Sequence, residues 1–425
     1  MQKIKENTGA AADMAPIRRA EGIKKPELLS PAGNFEKMQA AIRFGADAVY
    51  LAAKQFGMRS AADNFSDEEL PLAVEYAHAR GVRVYQTVNT MPRDAEYPAL
   101  RRTLLAAQKA GVDALIVSDH GVIALAKELI PQMPLHISTQ ASIVSTASAR
   151  AYAALGAERV VLARELSLAE ISQIVCGLGD AAQVECFVHG SMCISYSGRC
   201  LLSNYFTGRD GNRGQCAQPC RWNYSIVEEK RPGDALGIEE NENGAFIMSS
   251  RDLCMIEHIG ALCRAGIHSF KIEGRMKSAY YTAVITNAYR MALDLYFSGQ
   301  PFDPAVLREA ESVSHREYAT GYYFDAPMQN ANTVHDMGYL REKAYLATVE
   351  AYDPERGTAL LRQRNKLCAH TRVERLTPGK CGIPLSLGAF FTEQGEEIMS
   401  APHPNMRFFA KVSAPVQPGD ILRGE

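Results

Sequence analysis

Four cysteines lie close together in the middle of the chain, within the stretch from Glu185 to Trp222. They follow the spacing C-x6-C-x15-C-x3-C among glycines and other turn-forming residues: Cys193, Cys200, Cys216 and Cys220. Clustered thiols in a reducing compartment more often bind metal or perform redox chemistry than form disulfides. Four thiolates suit a tetrahedral zinc ion or an iron–sulfur cluster. Because the paired C-x2-C knuckles of zinc ribbons are missing, the spacing favours the iron–sulfur cluster, with zinc as the alternative.

Basic and aromatic residues alternate around these cysteines. The set comprises Arg199, Arg209, Arg213 and Arg221, interleaved with Tyr196, Tyr205, Phe206 and Trp222. Such a mixture suits single-stranded nucleic acid, since cations contact phosphates and rings stack on exposed bases. The competing interpretation is that the rings pack the loop onto the protein and the arginines neutralise the thiolates. We therefore predict an RNA contact at the four arginines and Trp222.

Composition and charge limit the function classes. The chain has 425 residues, 47% of them hydrophobic, and a net charge of −2, so a nucleic-acid contact must come from a local basic patch. No run of 18 apolar residues occurs, and the first 25 residues lack the apolar segment of a secretory signal. We predict a disordered leader over residues 1–25, a cytoplasmic protein and no membrane partner.

Short runs rich in Val, Ile and Leu alternate with helical segments from residue 26 to about 300. The runs are nearly continuous rather than alternating, as in parallel strands buried on both faces. Repeated βα units over this length favour an α/β fold, a (β/α)8 TIM-like barrel, with a cysteine-rich insertion over residues 190–240. Nine strand-like runs compete for eight barrel positions, and either the first run or AFIMSS at residues 245–250 is the extra one. We also expect one helix over residues 251–266 and a long helix from Lys277 to about Ser298.

The pattern changes beyond residue 300. A linker region over residues 301–337 leads to several short β-runs broken by Gly, Pro and Asn over residues 338–425. Such runs indicate a small all-β barrel domain at the C-terminus.

Polar residues follow the strands where a barrel enzyme places its chemistry. His189 ends one strand run, and Lys271, Glu273 and Arg275 alternate along another strand exit, so that these three face the same side. We predict catalytic roles for all four. The alternatives are a structural histidine and an internal set of salt bridges, against an anion-binding site that keeps a net positive charge.

Several motifs resemble peptidase family U32, the collagenase-like protease family. They are ELLSPAGN at 27–34, FGADAVYLA at 44–52, VHGSMCISYSGRCLLS at 188–203 and FKIEGRMKSAYY at 270–281, with E-x-F-x-x-G-S-M-C-x6-C as the most specific. The resemblance covers the chain from Pro26 onward, and it is strongest to the branch that hydroxylates tRNA. It implies a 4Fe-4S cluster on Cys193, Cys200, Cys216 and Cys220, with Cys254 as the substitute for Cys220.

The same resemblance implies an activity. It is oxygen-independent formation of 5-hydroxyuridine at the wobble position of tRNA, with prephenate as the cosubstrate that donates the hydroxyl. Lys271 and Arg275 would then neutralise the two carboxylates of this small anion. We expect tRNA as the main partner, with iron–sulfur assembly and electron-transfer proteins as further partners.

Three alternatives compete with this activity, and one of them is a zinc-stapled RNA-binding or scaffold protein without catalysis. Sister branches of the family hydroxylate ribosomal RNA or a quinone precursor, and the historical family label is a peptidase. The sequence has no HExxH helix and no Gly-x-Ser-x-Gly elbow, and a cysteine nucleophile paired with His189 is not supported by spacing. The basic and aromatic loop favours RNA over a quinone.

Overall fold

A computed structural model describes residues 22–60, 62–193, 195–222, 250–324, 340 and 342–424, and the backbone of 226–227 and 235–236. Most of the predicted leader, part of the predicted linker and nearly all of AFIMSS lie outside these residues. The same holds for much of the predicted insertion after Trp222.

The first half of the chain forms a closed parallel barrel. The strands of this region are β1 (Glu27–Pro31), β2 (Ala48–Ala52), β3 (Arg83–Val88), β4 (Ala114–Val117), β5 (Leu135–Ile137), β6 (Arg159–Val161), β7 (Gln183–Ser191), β8 (Ile226–Val227), β9 (Ala235–Leu236), β10 (Asp252–Cys254), β11 (Ser269–Ile272) and β12 (Tyr318–Ala319). Strands β8 and β9 pair with each other as a separate two-stranded sheet, and β10 and β12 extend the barrel sheet beyond β7. Strands β1 to β7 pair in order, and β11 pairs in parallel with both β7 and β1 to close eight strands. The predicted TIM-like barrel is confirmed, with the first run as a barrel strand.

Both faces of the barrel strands are buried, which explains their continuous apolar runs. Inside the barrel, Leu29, Tyr50 and Ile116 belong to a small inner core. Their neighbours on the other face, such as Val49 and Leu115, join the larger core between the strands and the helices. Side chains that alternate between two buried faces leave no polar face to interrupt the apolar run.

The helices between the strands form the outer layer. They are α1 (Phe35–Arg43), α2 (Glu69–His78), α3 (Tyr97–Ala110), α4 (His120–Leu129), α5 (Thr146–Ala154), α6 (Leu168–Leu178), α7 (Leu202–Thr207), α8 (Ile259–Arg264), α9 (Ala279–Phe297) and α10 (Pro304–Glu311). Helix α9 begins after Ser278, whose hydroxyl accepts from the Tyr281 amide at 3.1 Å. The predicted long helix from Lys277 to Ser298 is confirmed.

The single helix predicted over residues 251–266 is wrong in its first half. Asp252 begins strand β10, which pairs antiparallel with the end of β7, and the helix starts only at Ile259. The Asp252 carboxylate is buried and paired with Arg316 at 2.7 Å. This contact with a distant part of the chain outweighs the local helical pattern.

The C-terminal region folds as an antiparallel barrel of six strands. Its strands, with three short ones, are β13 (Ala344–Asp353), β14 (Thr358–Gln363), β15 (Leu367–Cys368), β16 (Arg372–Leu376), β17 (Ile383–Phe391), β18 (Glu397–Ile398), β19 (Ser400–Ala401), β20 (Arg407–Val412) and β21 (Ile421–Gly424). The order β16-β21-β13-β14-β20-β17 closes where β16 pairs with β17. The predicted C-terminal all-β barrel is confirmed.

The two barrels pack along helices α1, α9 and α10. Arg423 of β21 is buried against Glu309 of α10, with Nη2 2.8 Å from Oε2. The rings of Tyr280 and Tyr345 stack across the interface with centroids 5.6 Å apart. Buried ionic and aromatic contacts therefore join the small barrel to the side of the large one.

Candidate functional site

The cysteine segment, from Met192 to Trp222, follows β7 and lies over the carboxyl ends of the barrel strands. The Ser197 amide donates to Glu165 Oε1 after β6 at 3.1 Å, and Arg213 pairs with Glu96 after β3 at 2.7 Å. Gly198 and Gly214 hold positive φ angles, where a Cβ atom would meet backbone of the β5 and β2 loops at 2.2 Å and 2.9 Å. Glycine at both positions permits this close approach.

The four thiols share one electrostatic neighbourhood. The pKa of Cys220 is raised by burial and further by the thiols of Cys193, Cys216 and Cys200, against the opposing effect of Arg221. Within the described part of the chain, no three His, Cys, Asp or Glu side chains converge as a ready single-ion site. The four sulfurs are thus near enough to affect one another's charge, but they are not arranged to ligate a single metal ion.

Arginines from the barrel stand beside the first thiol. Desolvation by the surrounding protein opposes ionisation of Cys193, but Arg164 and then Arg59 outweigh it, so the pKa of this thiol lies below its ordinary value. Arg164 is fixed by the Ser191 carbonyl, to which its Nη1 donates at 2.9 Å. The backbone amide of Gln218 donates to the Cys216 sulfur at 3.4 Å. Cations and an amide donor favour thiolate, the form that ligates metal.

Cys254, the substitute ligand suggested by the resemblance, lies elsewhere. It is buried in β10, and its pKa is raised to about 12, mainly by burial. The groups that affect its charge include Tyr289 and Glu257, and none of the four clustered thiols is among them. Its surroundings are those of a small core side chain.

Aromatic side chains on and near α7 are exposed on the outer side of the cysteine segment. Tyr205 exposes 83% of its surface, and Phe206, Trp222 and Tyr196 are also exposed. The Phe206 ring lies 5.3 Å from Tyr205 and 6.3 Å from Trp222, measured between centroids. Exposed rings in contact with one another form a platform on which further rings can stack.

The predicted RNA-binding arginines differ in their surroundings. Arg213 is engaged by Glu96 and by the Met91 carbonyl at 2.8 Å, so it docks the segment onto the barrel. Arg199 is exposed and donates to Ser142 Oγ at 3.2 Å, and Arg209 is exposed beside α7. Arg221 lies next to Cys220 and opposes the rise that burial causes in the pKa of that thiol. The structure therefore separates Arg213, which docks the segment, from Arg199 and Arg209, which are exposed.

A narrow cavity of about 50 Å³ opens at the barrel mouth close to the cysteine segment. The predicted residues Lys271, Glu273 and Arg275 all line it, together with Tyr50, Met58, Arg59, Thr87, Asn89, Ile116, Ser138, Thr139, Gln140 and Phe187. Arg275 is buried, and its Nη1 donates to Thr87 Oγ1 at 3.1 Å. Burial lowers the pKa of Arg275 to about 10. The three residues do share one face, as their alternation along the strand exit predicts.

Lys271 is held from below by a buried charge network. Its Nζ lies 2.7 Å from Glu185 Oε1, while Arg159 binds the other oxygen of Glu185 at 3.0 Å and Glu27 at 2.6 Å. Burial opposes ionisation of Glu185, but Lys271 and Arg159 prevail and lower its pKa to about 2. The salt-bridge interpretation therefore applies to Lys271, whose charge is already balanced inside the barrel.

His189 does not line the cavity. It is buried among the rings of Tyr281, Tyr289 and Tyr318, and its Nε2 lies 3.3 Å from the Tyr318 hydroxyl. Burial lowers the pKa of His189 to about 3. This is a neutral packed histidine, so the geometry gives no support to the predicted catalytic role.

Sequence reasoning missed Arg59. Arg59 lies seven residues beyond the end of β2. The strand-end rule, by which functional residues of a barrel directly follow its strands, considers only the first residues after each strand. The guanidinium of Arg59 faces Glu273, with Nη2 3.7 Å from Oε1, and it lines the cavity. A nearby signal in the sequence was Gly57, which lies so close to Ala52 and Thr87 that a Cβ atom would not fit.

A larger cleft of about 840 Å³ lies between the two barrels, away from the cysteines. Three of its four arginines are paired with carboxylates, and the fourth, Arg80, donates to the Tyr76 carbonyl. The pairs are Arg43 with Asp420, Arg362 with Glu350 and Arg364 with Glu36. Arg59 lines the smaller cavity and also acts on Cys193, whereas the cleft lies away from the cysteines, so we assign the chemistry to the smaller cavity at the barrel mouth.

Comparison with models of known protein families shows to which family the chain belongs. A model of Peptidase family U32 matches residues 33–333, and one of the Peptidase family U32 C-terminal domain matches residues 341–423. The chain belongs to peptidase family U32. The family match spans both barrels and includes the whole cysteine segment. No helix among the described residues is long and apolar enough to cross a membrane.

Relatives within the family carry different names. The chain is 36% identical to tRNA hydroxylation protein P of Escherichia coli, covering 89% of this chain and 92% of that protein. It is 34% identical to a collagenase of Porphyromonas gingivalis, covering 78% and 82%. It is 39% identical to the 23S rRNA 5-hydroxycytidine C2501 synthase of Escherichia coli, covering 63% of this chain but only 39% of that protein.

Proposed function

We propose that this chain hydroxylates tRNA, forming 5-hydroxyuridine at the wobble position without molecular oxygen. The observation that carries the proposal is the position of four thiols in one neighbourhood, directly beside a cavity lined by arginines at the barrel mouth. Similarity to tRNA hydroxylation protein P over both barrels supports tRNA as the substrate.

The four thiols fit an iron–sulfur cluster as their resident group, held by Cys193, Cys200, Cys216 and Cys220. When bound, a 4Fe-4S cluster supplies an electron-accepting and Lewis-acidic centre at the barrel mouth. Arg164 and Arg59 lower the pKa of Cys193 and so favour the thiolate that ligates iron, and the backbone amide of Gln218 donates to the Cys216 sulfur. Zinc is the alternative to the cluster. It would need all four sulfurs to lie about 2.3 Å from one ion.

Hydroxylation needs a partner that balances its electrons. Forming the C5–O bond of the uracil ring and releasing the C5 hydrogen removes two electrons from that ring. We propose prephenate as the cosubstrate: the C–O bond of its ring hydroxyl breaks, the oxygen goes to C5 of the uracil, and the prephenate carbon takes up the two electrons and the proton released from C5. The barrel mouth suits such an anion because Arg275 is a buried cation on its wall.

The exposed side of the cysteine segment would present the RNA. Unpaired bases would stack on the exposed rings of Tyr205, Phe206 and Trp222. The exposed side chains of Arg209 and Arg199 would contact phosphates. A wobble nucleotide is unpaired in free tRNA, so it can be turned into a pocket at low cost. Arg213 serves this arrangement by fixing the segment to the barrel.

Two other activities compete with tRNA hydroxylation. Hydroxylation of ribosomal RNA is the nearer one, but the chain spans only 39% of the rRNA synthase that it resembles. Proteolysis would need an activated nucleophile, yet Cys193 faces arginines rather than a basic histidine, and His189 is enclosed by tyrosines. The arrangement of thiols and cations therefore favours hydroxylation.

The test is mass spectrometry of tRNA nucleosides from a strain lacking this chain and supplied with variants. The wild-type chain is expected to restore 5-hydroxyuridine, whereas Cys216→Ala should lose it together with the brown colour, iron and sulfide of the protein purified without oxygen. Cys176→Ala is the matched control, because Cys176 is an exposed thiol on α6 outside the segment. Zinc without iron, or full hydroxylation by Cys216→Ala, would contradict the proposal.

A further inference from the structure

The cations at the barrel mouth are not equivalent. Lys271 is matched by Glu185 inside the barrel, at 2.7 Å. Of the charged residues that line the cavity, this leaves Arg59 and Arg275 against the single carboxylate of Glu273. Apart from Lys271, the residues that line the cavity therefore carry one net positive charge.

Arg275 is the more unusual of the two arginines. Only 3% of its surface is exposed, and its one hydrogen bond to another side chain goes to the neutral hydroxyl of Thr87. A guanidinium has five N–H donors, so most of them point at no side-chain acceptor among the described residues. Burying such a charge costs free energy, and a protein retains it where an anion completes the site.

Arg59 is placed by a strained and braced loop. Its φ angle is +68°, a left-handed conformation that costs free energy for a residue other than glycine. The next residue, Ser60, donates from both its amide and its hydroxyl to the Gly214 carbonyl, at 3.1 and 3.0 Å. Because Gly214 is two residues before Cys216, the cysteine segment itself holds Arg59 over the cavity.

The cavity size limits what can enter. About 50 Å³ is room for one or two water molecules, at roughly 30 Å³ of liquid volume each, or for a carboxylate group. An entire ring acid does not fit, so the remainder of such a ligand would extend toward the thiols. Two guanidiniums facing one small space match the two oxygens of a carboxylate.

We propose that Arg59 and Arg275 form a carboxylate-binding site that takes one carboxylate of a small organic acid and directs the rest of it at the cysteine site. This inference rests on the proposed function and refines it, since it replaces Lys271 by Arg59 as the second cation. Arg59 acts as a binding residue supplied by the β2–α2 loop, and Glu273 holds its guanidinium at the cavity wall.

The test is equilibrium binding of prephenate, measured by calorimetry on the cluster-loaded protein purified without oxygen. Arg59→Gln and Arg275→Gln should each weaken binding by about 10- to 100-fold, the range for losing a hydrogen bond to a charged group. Arg59→Lys should lose less, because it keeps the charge but not the planar fork. Arg101→Gln is the control, since Arg101 forms an exposed pair with Glu128 on the outer helices.

Unchanged prephenate affinity in Arg59→Gln overturns the inference, and so does a wild-type protein that does not bind prephenate. Arg59 is partly exposed, so its variant folds and decides the question even if Arg275→Gln does not fold. Hydroxylated nucleosides in tRNA from cells with the wild-type chain are measured separately. Their absence refutes the proposed function, whereas their presence together with unchanged affinity in Arg59→Gln refutes the carboxylate site alone.

Discussion

Lys271 and Glu185 form a buried ion pair across strands β11 and β7, with Nζ 2.7 Å from Oε1. The pair closes the barrel interior beneath the cavity, and Arg159 binds Glu185 from the other side. It gives Lys271 a structural partner and leaves the cavity above it to the two arginines. The same contact makes Glu185, the first residue of the most specific family motif, a residue of the fold.

Glu185→Gln should lower the free energy of unfolding by about 3–5 kcal/mol, because it leaves Lys271 and Arg159 buried without their shared carboxylate. Urea unfolding measures the change. Since the pKa of Glu185 is lowered from 4.5 to about 2, its contribution is complete above pH 4.5 and is lost as the pH falls toward 2. Glu128→Gln removes an exposed pair and should cost less than about 1 kcal/mol. Equal losses in both variants would show that the buried network is not special.

The fourth ligand of the proposed cluster is tested by comparing Cys220→Ala with Cys254→Ala. We expect Cys220→Ala to lose iron, sulfide and tRNA hydroxylation, because Cys220 shares its surroundings with the other three thiols. Cys254→Ala should keep all three, since this thiol is packed in β10 near Tyr289. Iron content and nucleoside analysis of the two variants provide the measurement. The opposite pattern would transfer the ligand role to Cys254.

His189 should make the protein sensitive to acid rather than take part in catalysis. Its pKa falls from 6.5 to about 3 in the folded chain, mainly by burial, while nearby Asp252 opposes the shift and His315 and Lys277 add to it. The unfolded state therefore binds a proton that the native state excludes between these values, so stability declines as the pH drops below 6.5.

His189→Asn removes this effect. The wild-type free energy of unfolding should fall more steeply than that of the variant, by up to about 1.4 kcal/mol per pH unit. Urea unfolding at a series of pH values below 6.5 measures both slopes. Parallel slopes would reject the assignment, and loss of hydroxylation by a folded variant at neutral pH would restore the catalytic role.

The aromatic platform should account for part of the RNA affinity. Tyr205→Ala and Trp222→Ala should each weaken tRNA binding by roughly 5- to 100-fold, the range for losing a stacked base. Filter binding at one fixed salt concentration provides the measurement, because phosphate contacts are salt-dependent. Leu72→Ala is the control, since Leu72 is an exposed apolar residue on α2. If all three variants bind tRNA like the wild type, the platform packs the loop and does not contact RNA.

Local pattern is sufficient to predict most of the fold. Continuous apolar runs identify the parallel strands because both faces of the barrel wall are buried. The helix predicted over residues 251–266 fails for the complementary reason. Its first residues are drawn into a strand by pairing with Gly190 and by the ion pair from Asp252 to Arg316, and neither partner is near in sequence.

The candidate site divides in the same way. The spacing of Cys193, Cys200, Cys216 and Cys220 and the alternation of Lys271, Glu273 and Arg275 can be read along the chain, because short segments of known period place them together. Which of the predicted groups is accessible cannot be read, since burial and pairing depend on strands far apart in sequence. His189 and Lys271 both follow the strand-end rule, yet one is enclosed by tyrosines and the other is neutralised by Glu185.

The sequence by itself determined that a cluster of thiols follows a barrel strand and that an all-β barrel follows the α/β barrel. It also determined that basic and aromatic residues surround the thiols. Only the tertiary structure decided that Arg59 and Arg275, 216 residues apart in the chain, face one small cavity. The physical reason is that closing eight strands into a barrel brings the loops after β2 and β11 to the same rim. A charge balance at that rim depends on side chains that no local pattern connects.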